Sequence, residues 1–225
     1  MDALTSLLPT GRELSVFTVA AFAMGASPGP GMLYVVARSL GEGRLAALVS
    51  VLGLSSGSFI NCLVAAAGLS ALLRVSPLAY DFVRYAGAAY LVYLAIQIMR
   101  AGSRVGIGEI ATLATGRLWA IYRQAVVTNI LNPKSGLFYL AFVPQFTDPE
   151  RGSVFAQFIL LGLIFNILGN SLNMAVGLFF GQIGDWLSRH PGFWSAQKWG
   201  SAIILAGLAV HLAFGMTSLE AATAG

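Results

Sequence analysis

Two long apolar runs, each broken near its middle by proline, constrain this chain more than any other feature. The first spans Leu14–Ala37 and carries Ala26-Ser27-Pro28-Gly29-Pro30-Gly31; the second spans Gln124–Phe146 and carries Asn129-Ile130-Leu131-Asn132-Pro133-Lys134. Each run is long enough to cross a bilayer, which takes about 20 apolar residues. In hydrocarbon a break is costly, because the freed amides and carbonyls find no water. Broken spanning helices persist where the irregular backbone lines a cavity. Paired breaks in corresponding halves of a chain mark a transporter's binding site.

The composition agrees with a chain that lives in lipid. Of 225 residues, 57% are hydrophobic and only 10% are charged, with a mean hydropathy of +0.77. A soluble domain is about 25% charged. The net charge of +4 is spread between apolar runs, so it does not point to nucleic acid. The single cysteine, Cys62, excludes an intramolecular disulfide framework and has no companion for a cysteine metal site. It falls inside a span and reads as an inert buried thiol. Ala21-Phe22-Ala23 resembles a signal-peptide cleavage site, but Asp2, Arg12 and Glu13 deny the preceding segment a positive n-region.

Taken in order, the pattern predicts an all-α membrane protein with six spans. Span one is the first broken run, followed by a loop of Arg38, Gly41, Glu42, Gly43 and Arg44. Span two lies within Leu45–Leu73, and span three within Tyr80–Met99. A polar connection leads to span four, the second broken run, which stops at Pro144 before a loop of Asp148, Pro149, Glu150 and Arg151. Span five lies within Ser153–Gly184 and span six within Trp199–Leu219. The odd loops hold eight Lys and Arg against four on the other side. That bias places the odd loops in the cytoplasm and both termini outside.

The two halves echo one another. Pro28 and Pro133 each interrupt the first span of a three-span set. Pro77 precedes Arg84-Tyr85, and Pro191 precedes Lys198-Trp199, both by seven residues. Three spans per half force the halves to insert in opposite directions, which is an inverted-topology repeat. The expected division is repeat one over 14–99, a cytoplasmic linker over 100–121 and repeat two over 122–219, all one transporter domain.

Several residues are candidates for chemistry. Around Ser27, Pro28, Gly29, Pro30 and Gly31 the prolines delete helical donors and clash with earlier carbonyls. This leaves free carbonyls beside a half-helix N-terminus, an end that attracts anions; the plainer alternative is a packed proline kink. Lys134 is the one charged residue deep inside a span, a functional candidate by default. With Pro133 opening a helix before it, it suits a carboxylate; it could instead snorkel to an interface or cap carbonyls of the broken helix. Asn166, Asn170 and Asn173 share one helix face, as do Ser55, Ser58 and Cys62, with Asn61 beside them. These faces can line a polar path or merely bond helix to helix. His211 could relay protons or be a satisfied core histidine.

Gly53-Leu54-Ser55-Ser56-Gly57 fits G-x-S-x-G, but no strand precedes it for a nucleophile elbow. The same glycines form G-x-x-x-G, a close-packing surface between helices. An intramembrane serine hydrolase is therefore a remote alternative. No metal-ligand cluster or phosphate loop is apparent, and no cofactor is expected.

At these motifs the chain resembles the LysE/RhtB family of bacterial amino-acid exporters. The resemblance runs over nearly the whole length. It rests on Ser27-Pro28-Gly29-Pro30, on the stretch from Tyr122-Arg123-Gln124 through Asn129-Ile130-Leu131-Asn132-Pro133-Lys134, on Phe138-Tyr139-Leu140-Ala141-Phe142-Val143-Pro144-Gln145-Phe146, and on Gly87-Ala88-Ala89-Tyr90-Leu91. It implies export of amino acids or close derivatives across the bacterial inner membrane, driven by the proton gradient or membrane potential. Members often have Asp or Asn directly after P-G-P, where this chain has Gly31, and a histidine in span two near Asn61. Two positions that could serve substrate or proton are thus changed.

The expectation is a secondary exporter in which the breaks meet near the midplane. Lys134 and nearby amides take the substrate carboxylate; Asn129, Asn132 and the span-five asparagines add polar contacts. Its partners are the amino acid and membrane lipid, with a homodimer permitted by the glycines from Gly177 to Gly181. A cation exporter on a related fold would want intramembrane carboxylates. A non-transporting scaffold would leave the lone lysine and the paired breaks unexplained.

Overall fold

The computed structural model describes residues 7–27, 29–75 and 117–189, with scattered helical positions between 89 and 100 and between 199 and 207. Pro28, Pro77, Pro191 and His211, and most of spans three and six, lie outside the described residues, as does the paired Pro–Arg and Pro–Lys spacing. Every regular element among the described residues is helical.

Helix α1 covers Gly11–Ala26 and α2 covers Pro30–Glu42. Thr10 opens α1 with a reciprocal capping box to Glu13. Pro30 stands at the first turn of α2, where its missing N–H costs nothing. The two axes bend by 51° at the break. Helix α3 covers Arg44–Val75, α4 Leu118–Ile130, α5 Pro133–Ala141 and α6 Val154–Arg189. Two short 3₁₀ turns, Val143–Phe146 and Pro149–Arg151, join α5 to α6.

Within α3, Arg44–Leu69 has a mean hydropathy of 1.8, and within α6, Val154–Phe179 has 1.7. Each stretch is 26 residues, about 39 Å at 1.5 Å per residue, more than the bilayer core. These two helices are long and apolar enough to cross a membrane, and the bent α1–α2 pair makes a third candidate. Val64 on α3 and Ile167 on α6 are among their exposed apolar side chains.

The long helices hold two cores together. One core joins Phe17, Ala21 and Met24 of α1 to Cys62, Ala66 and Leu69 of α3, Phe138, Tyr139, Phe142 and Phe146 around α5, and Phe158 and Phe165 of α6. The other joins Tyr34 and Val35 of α2 to Ala47, Val51 and Leu54 of α3 and Ile121 and Ala125 of α4. So α1 to α2 runs from the first core to the second, and α4 to α5 runs back. The two broken helices pass each other in opposite directions, and their breaks lie between the cores.

Small residues allow this approach. A Cβ on Gly53 would stand 2.5 Å from the Tyr122 carbonyl oxygen, and one on Gly57 2.5 Å from that of Val126. The G-x-x-x-G face therefore seats α4 against α3. Gly177 is spent the same way. Its added Cβ would stand 2.7 Å from Val35 Cγ1, and Ser39 Oγ bonds its carbonyl. Gly177 is thus used in a contact within the chain.

The loop expected at Arg38–Arg44 is also corrected. Helix α2 continues through Glu42, and only Gly43, at φ +85°, breaks the chain. Arg38 sits in its last turns, 2% exposed, paired with Glu42. Lys134 is therefore not the only charge drawn into the helices. Similarly, α4 starts at Leu118, inside the segment read as a polar connection, so Arg123 is helical.

Candidate functional site

The two breaks meet at one cavity of about 80 Å³ between the cores. A single water needs about 10–15 Å³ of such space, so a ligand of several non-hydrogen atoms fits. Its walls include Ser27, Gly29 and Gly31 from the first break, Asn129, Asn132, Lys134 and Ser135 from the second, and Asn166, Asn170 and Asn173 from α6. Of the residues singled out in the sequence, Pro30 and Pro133 shape the ends but do not line the space.

Each break places a helix end at the cavity. Ser27 ends α1, and Leu131 ends α4. The α5 end is satisfied within its own turn. Asn132 Oδ1 accepts from the Lys134 amide at 3.1 Å, and the Ser135 and Gly136 amides reach the Asn132 carbonyl. The α2 end is different: its N-cap is Gly29, which has no side chain to cap it. Gly31 and Met32, in that first turn, both line the cavity. The positive end of α2 is the more open of the two to an anion.

Lys134 closes the junction. Its Nζ donates to the Ser27 carbonyl oxygen at 2.6 Å, capping the C-terminal end of α1 from the other broken helix. Capping the broken helix is one of the roles its position allows. An ammonium has three donors, and Ser27 takes one. Its stem runs beside Gly29, where a Cβ would stand 3.5 Å from Lys134 Cδ.

The α6 asparagines both line the space and tie helices. Asn166 Nδ2 donates to the Ser55 carbonyl at 2.9 Å, and Ser55 Oγ donates to Asn166 Oδ1 at 2.8 Å. Asn170 Nδ2 donates to the Asn166 carbonyl at 2.9 Å. Ser58 Oγ meets Tyr139 OH at 2.8 Å, and Asn61 Nδ2 donates to the Asn129 carbonyl at 3.0 Å. So the span-two serines and Asn61 are spent on interhelical bonds. Ser55 lies in mid-helix in this lattice of amides, not on an elbow. Among the described residues no cluster of metal-ligating side chains occurs.

Two buried polar atoms of cavity-lining residues have no partner among the described residues. These are Ser27 Oγ, in a residue 2% exposed, and Asn129 Oδ1. Ser135 was not foreseen, although it follows Lys134 on the first turn of a half-helix, where any polar side chain is near the break.

A sequence model described as "LysE type translocator" matches residues 22–216. The chain belongs to the LysE translocator family. It is 31% identical to the homoserine/homoserine lactone efflux protein of Salmonella typhimurium over 80% of this chain and 87% of that protein. It is 33% identical to the leucine efflux protein of Salmonella choleraesuis over 63% of this chain and 66% of that one. An uncharacterized membrane protein of Pseudomonas aeruginosa is 28% identical over 83% of this chain and 88% of its own length. No solved structure matches the chain. This LysE translocator is thus a multi-pass membrane transporter and not an enzyme.

Proposed function

We propose that this LysE translocator is a secondary exporter of small amino acids or their close derivatives across the bacterial inner membrane. The observation that carries the reading is the cavity at which both broken helices end, lined by an ammonium, an uncapped helix N-terminus and several carboxamides. The efflux proteins to which the chain is similar point to the same substrate class. The substrate carboxylate binds Lys134 and the α2 amides, and the asparagines contact the remaining polar groups.

Six spans in two inverted repeats, 14–99 and 122–219 joined by 100–121, complete the reading. The opposed run of α1–α2 and α4–α5 between the two cores supports it. The termini face the periplasm by the Lys and Arg bias. Export follows from one half moving against the other about the cavity.

The test is efflux of a radiolabelled amino-acid panel from preloaded proteoliposomes, with and without an imposed pH gradient. Release of one or a few amino acids is expected. Lys134→Ala and Pro133→Ala, verified as membrane-inserted, should lose most of it. Export at the parental rate by both variants would remove the cavity from the pathway. Acceleration by a pH gradient would make the proton the coupling ion, and response to voltage alone would make the driving force electrical.

A further inference from the structure

The two unpartnered atoms give the cavity a direction. A buried polar group without a partner costs free energy, so each marks a group that a ligand could satisfy. Ser27 Oγ belongs to the residue whose carbonyl holds the Lys134 ammonium at 2.6 Å. A serine hydroxyl carries one proton to give, and here that proton has no acceptor among the described residues. It therefore offers a donor to the cavity, as do the ammonium and the uncapped first turn of α2. That side asks for an anion.

Asn129 stands on the opposite broken helix, in the last turn of α4. Its backbone carbonyl is held by Asn61 Nδ2 at 3.0 Å, which fixes the turn. A Cβ on Gly57 would stand 2.9 Å from Asn129 Cβ, so the side chain has no slack toward α3. Its Oδ1 is buried and can only accept. The wall beyond includes the asparagine face of α6 and the apolar side chains of Met24, Met32 and Phe165. Among the described residues no carboxylate lines the space.

We infer that Asn129 reads the α-amino group of the substrate, with Ser27 and Lys134 taking its carboxylate. This rests on the reading of the cavity as an amino-acid site and narrows it. The ligand is a neutral zwitterion with a free amino group and a small, apolar or weakly polar side chain. A neutral carboxamide acceptor suits a substrate that must leave, because it holds an ammonium without the deep well of a buried ion pair. N-acylated and deaminated analogues leave Asn129 Oδ1 unpaired and are rejected.

The experiment compares three ligands of one carbon skeleton: the amino acid, its deaminated acid, and its N-acetyl form. Each competes with labelled amino-acid efflux in proteoliposomes, and each is also scored for thermal stabilisation of the detergent-solubilised protein. The parent should prefer the amino acid over both analogues by about 10- to 100-fold, as expected when a buried acceptor is left unpaired. In Asn129→Leu that preference over the deaminated acid should fall to about threefold or less, by the same argument. Asn129→Asp keeps the shape and should widen it. Ser27→Ala should instead weaken selection against the matching amino alcohol, added as a fourth ligand because it lacks the carboxylate. If Asn129→Leu and Asn129→Asp lose rate for all ligands but keep the parental ratio, the assignment of Asn129 is wrong while the exporter reading stands. If the parent is neither stabilised by nor transports any amino acid, the exporter reading itself fails. If Asn129→Leu does not insert, the Asn129→Asp ratio decides alone, an unchanged ratio overturning the proposal.

Discussion

The two cores on either side of the cavity are held by different physics. At the α1–α5 end the ties are aromatic. Phe138 and Phe165 have centroids 4.1 Å apart, Phe17 and Phe146 5.2 Å, and Phe17 and Phe142 5.7 Å. At the α2–α4 end, polar ties reinforce an apolar core that carries a single aromatic ring among the described residues. Arg38 pairs with Glu42 on its own helix and donates to Gln124 Oε1 across the seam at 2.6 Å. Its guanidinium lies 5.4 Å from the Tyr34 ring centroid, and Tyr34 OH donates to the Ile121 carbonyl at 2.9 Å. Aromatic packing is non-directional and degrades gradually as surfaces slide. A buried hydrogen-bonded cation is either paired or exposed at high cost. One end is therefore a graded contact and the other, termed the latch below, a directional polar tie.

The harshest way to break this contrast is to remove the latch's cation. Arg38→Met leaves Glu42, 13% exposed, beside an apolar side chain. Breaking a buried pair costs about 3–5 kcal/mol. Thermal unfolding in detergent should show the largest loss of any single change at the seam. The double variant Arg38→Met/Glu42→Leu should recover much of it, since apolar replacement of a whole buried pair is often neutral. If the double variant is as unstable as the single, packing of the Arg38 stem and not its charge holds the α2 end.

Next in size is a wedge between α3 and α4, the pair on which the second core is built. Gly57→Leu would drive side-chain atoms into the Val126 carbonyl, and overpacking costs about 1–3 kcal/mol. Expression and unfolding temperature should both fall. Wild-type behaviour would mean that α4 can retreat from α3, and so that the seam is looser than its contacts suggest. Phe142→Leu tests the aromatic end. A volume-reducing swap between apolar residues should cost about 1 kcal/mol, near the lower range for core truncation, since lipid offers little hydrophobic penalty. A loss as large as that of Arg38→Met would erase the distinction between the ends.

How much of this was readable beforehand depends on the kind of signal. The breaks were legible because proline lacks a donor wherever it sits, and Pro30 and Pro133 both open half-helices. The face of Asn166, Asn170 and Asn173 was legible because helical spacing alone brings them to one side, and all three line the cavity. The latch was not. Arg38, Gly41, Glu42 and Gly43 have loop composition, but Glu42 lies one turn from Arg38 and the i,i+4 pair carries the helix on to Gly43. Its other partner, Gln124, is 86 residues away, a contact no local pattern encodes. Gly177 shows a related limit: a small-residue face announces close packing but does not name the neighbour, here Val35 of the same chain.

The mildest change sharpens the comparison most. Tyr34→Phe keeps the ring that faces Arg38 and removes only the hydroxyl that bonds Ile121 and, at 3.3 Å, Gln124. One such bond contributes about 0.5–1.5 kcal/mol, so the unfolding temperature should drop slightly. If the α2–α4 seam must part during each export cycle, the hydroxyl stabilises the closed state and not the open one. Its loss then lowers the barrier to opening, and turnover should rise by up to about tenfold, the factor that 1.4 kcal/mol carries in a rate. Phe142→Leu, on the aromatic side, should lower stability without that gain. Efflux rates of the two variants at matched protein density separate the cases. A faster Tyr34→Phe carrier makes the polar end the one that opens slowly. Equal slowing of both variants makes the two cores equivalent supports and puts the slow step at the cavity itself.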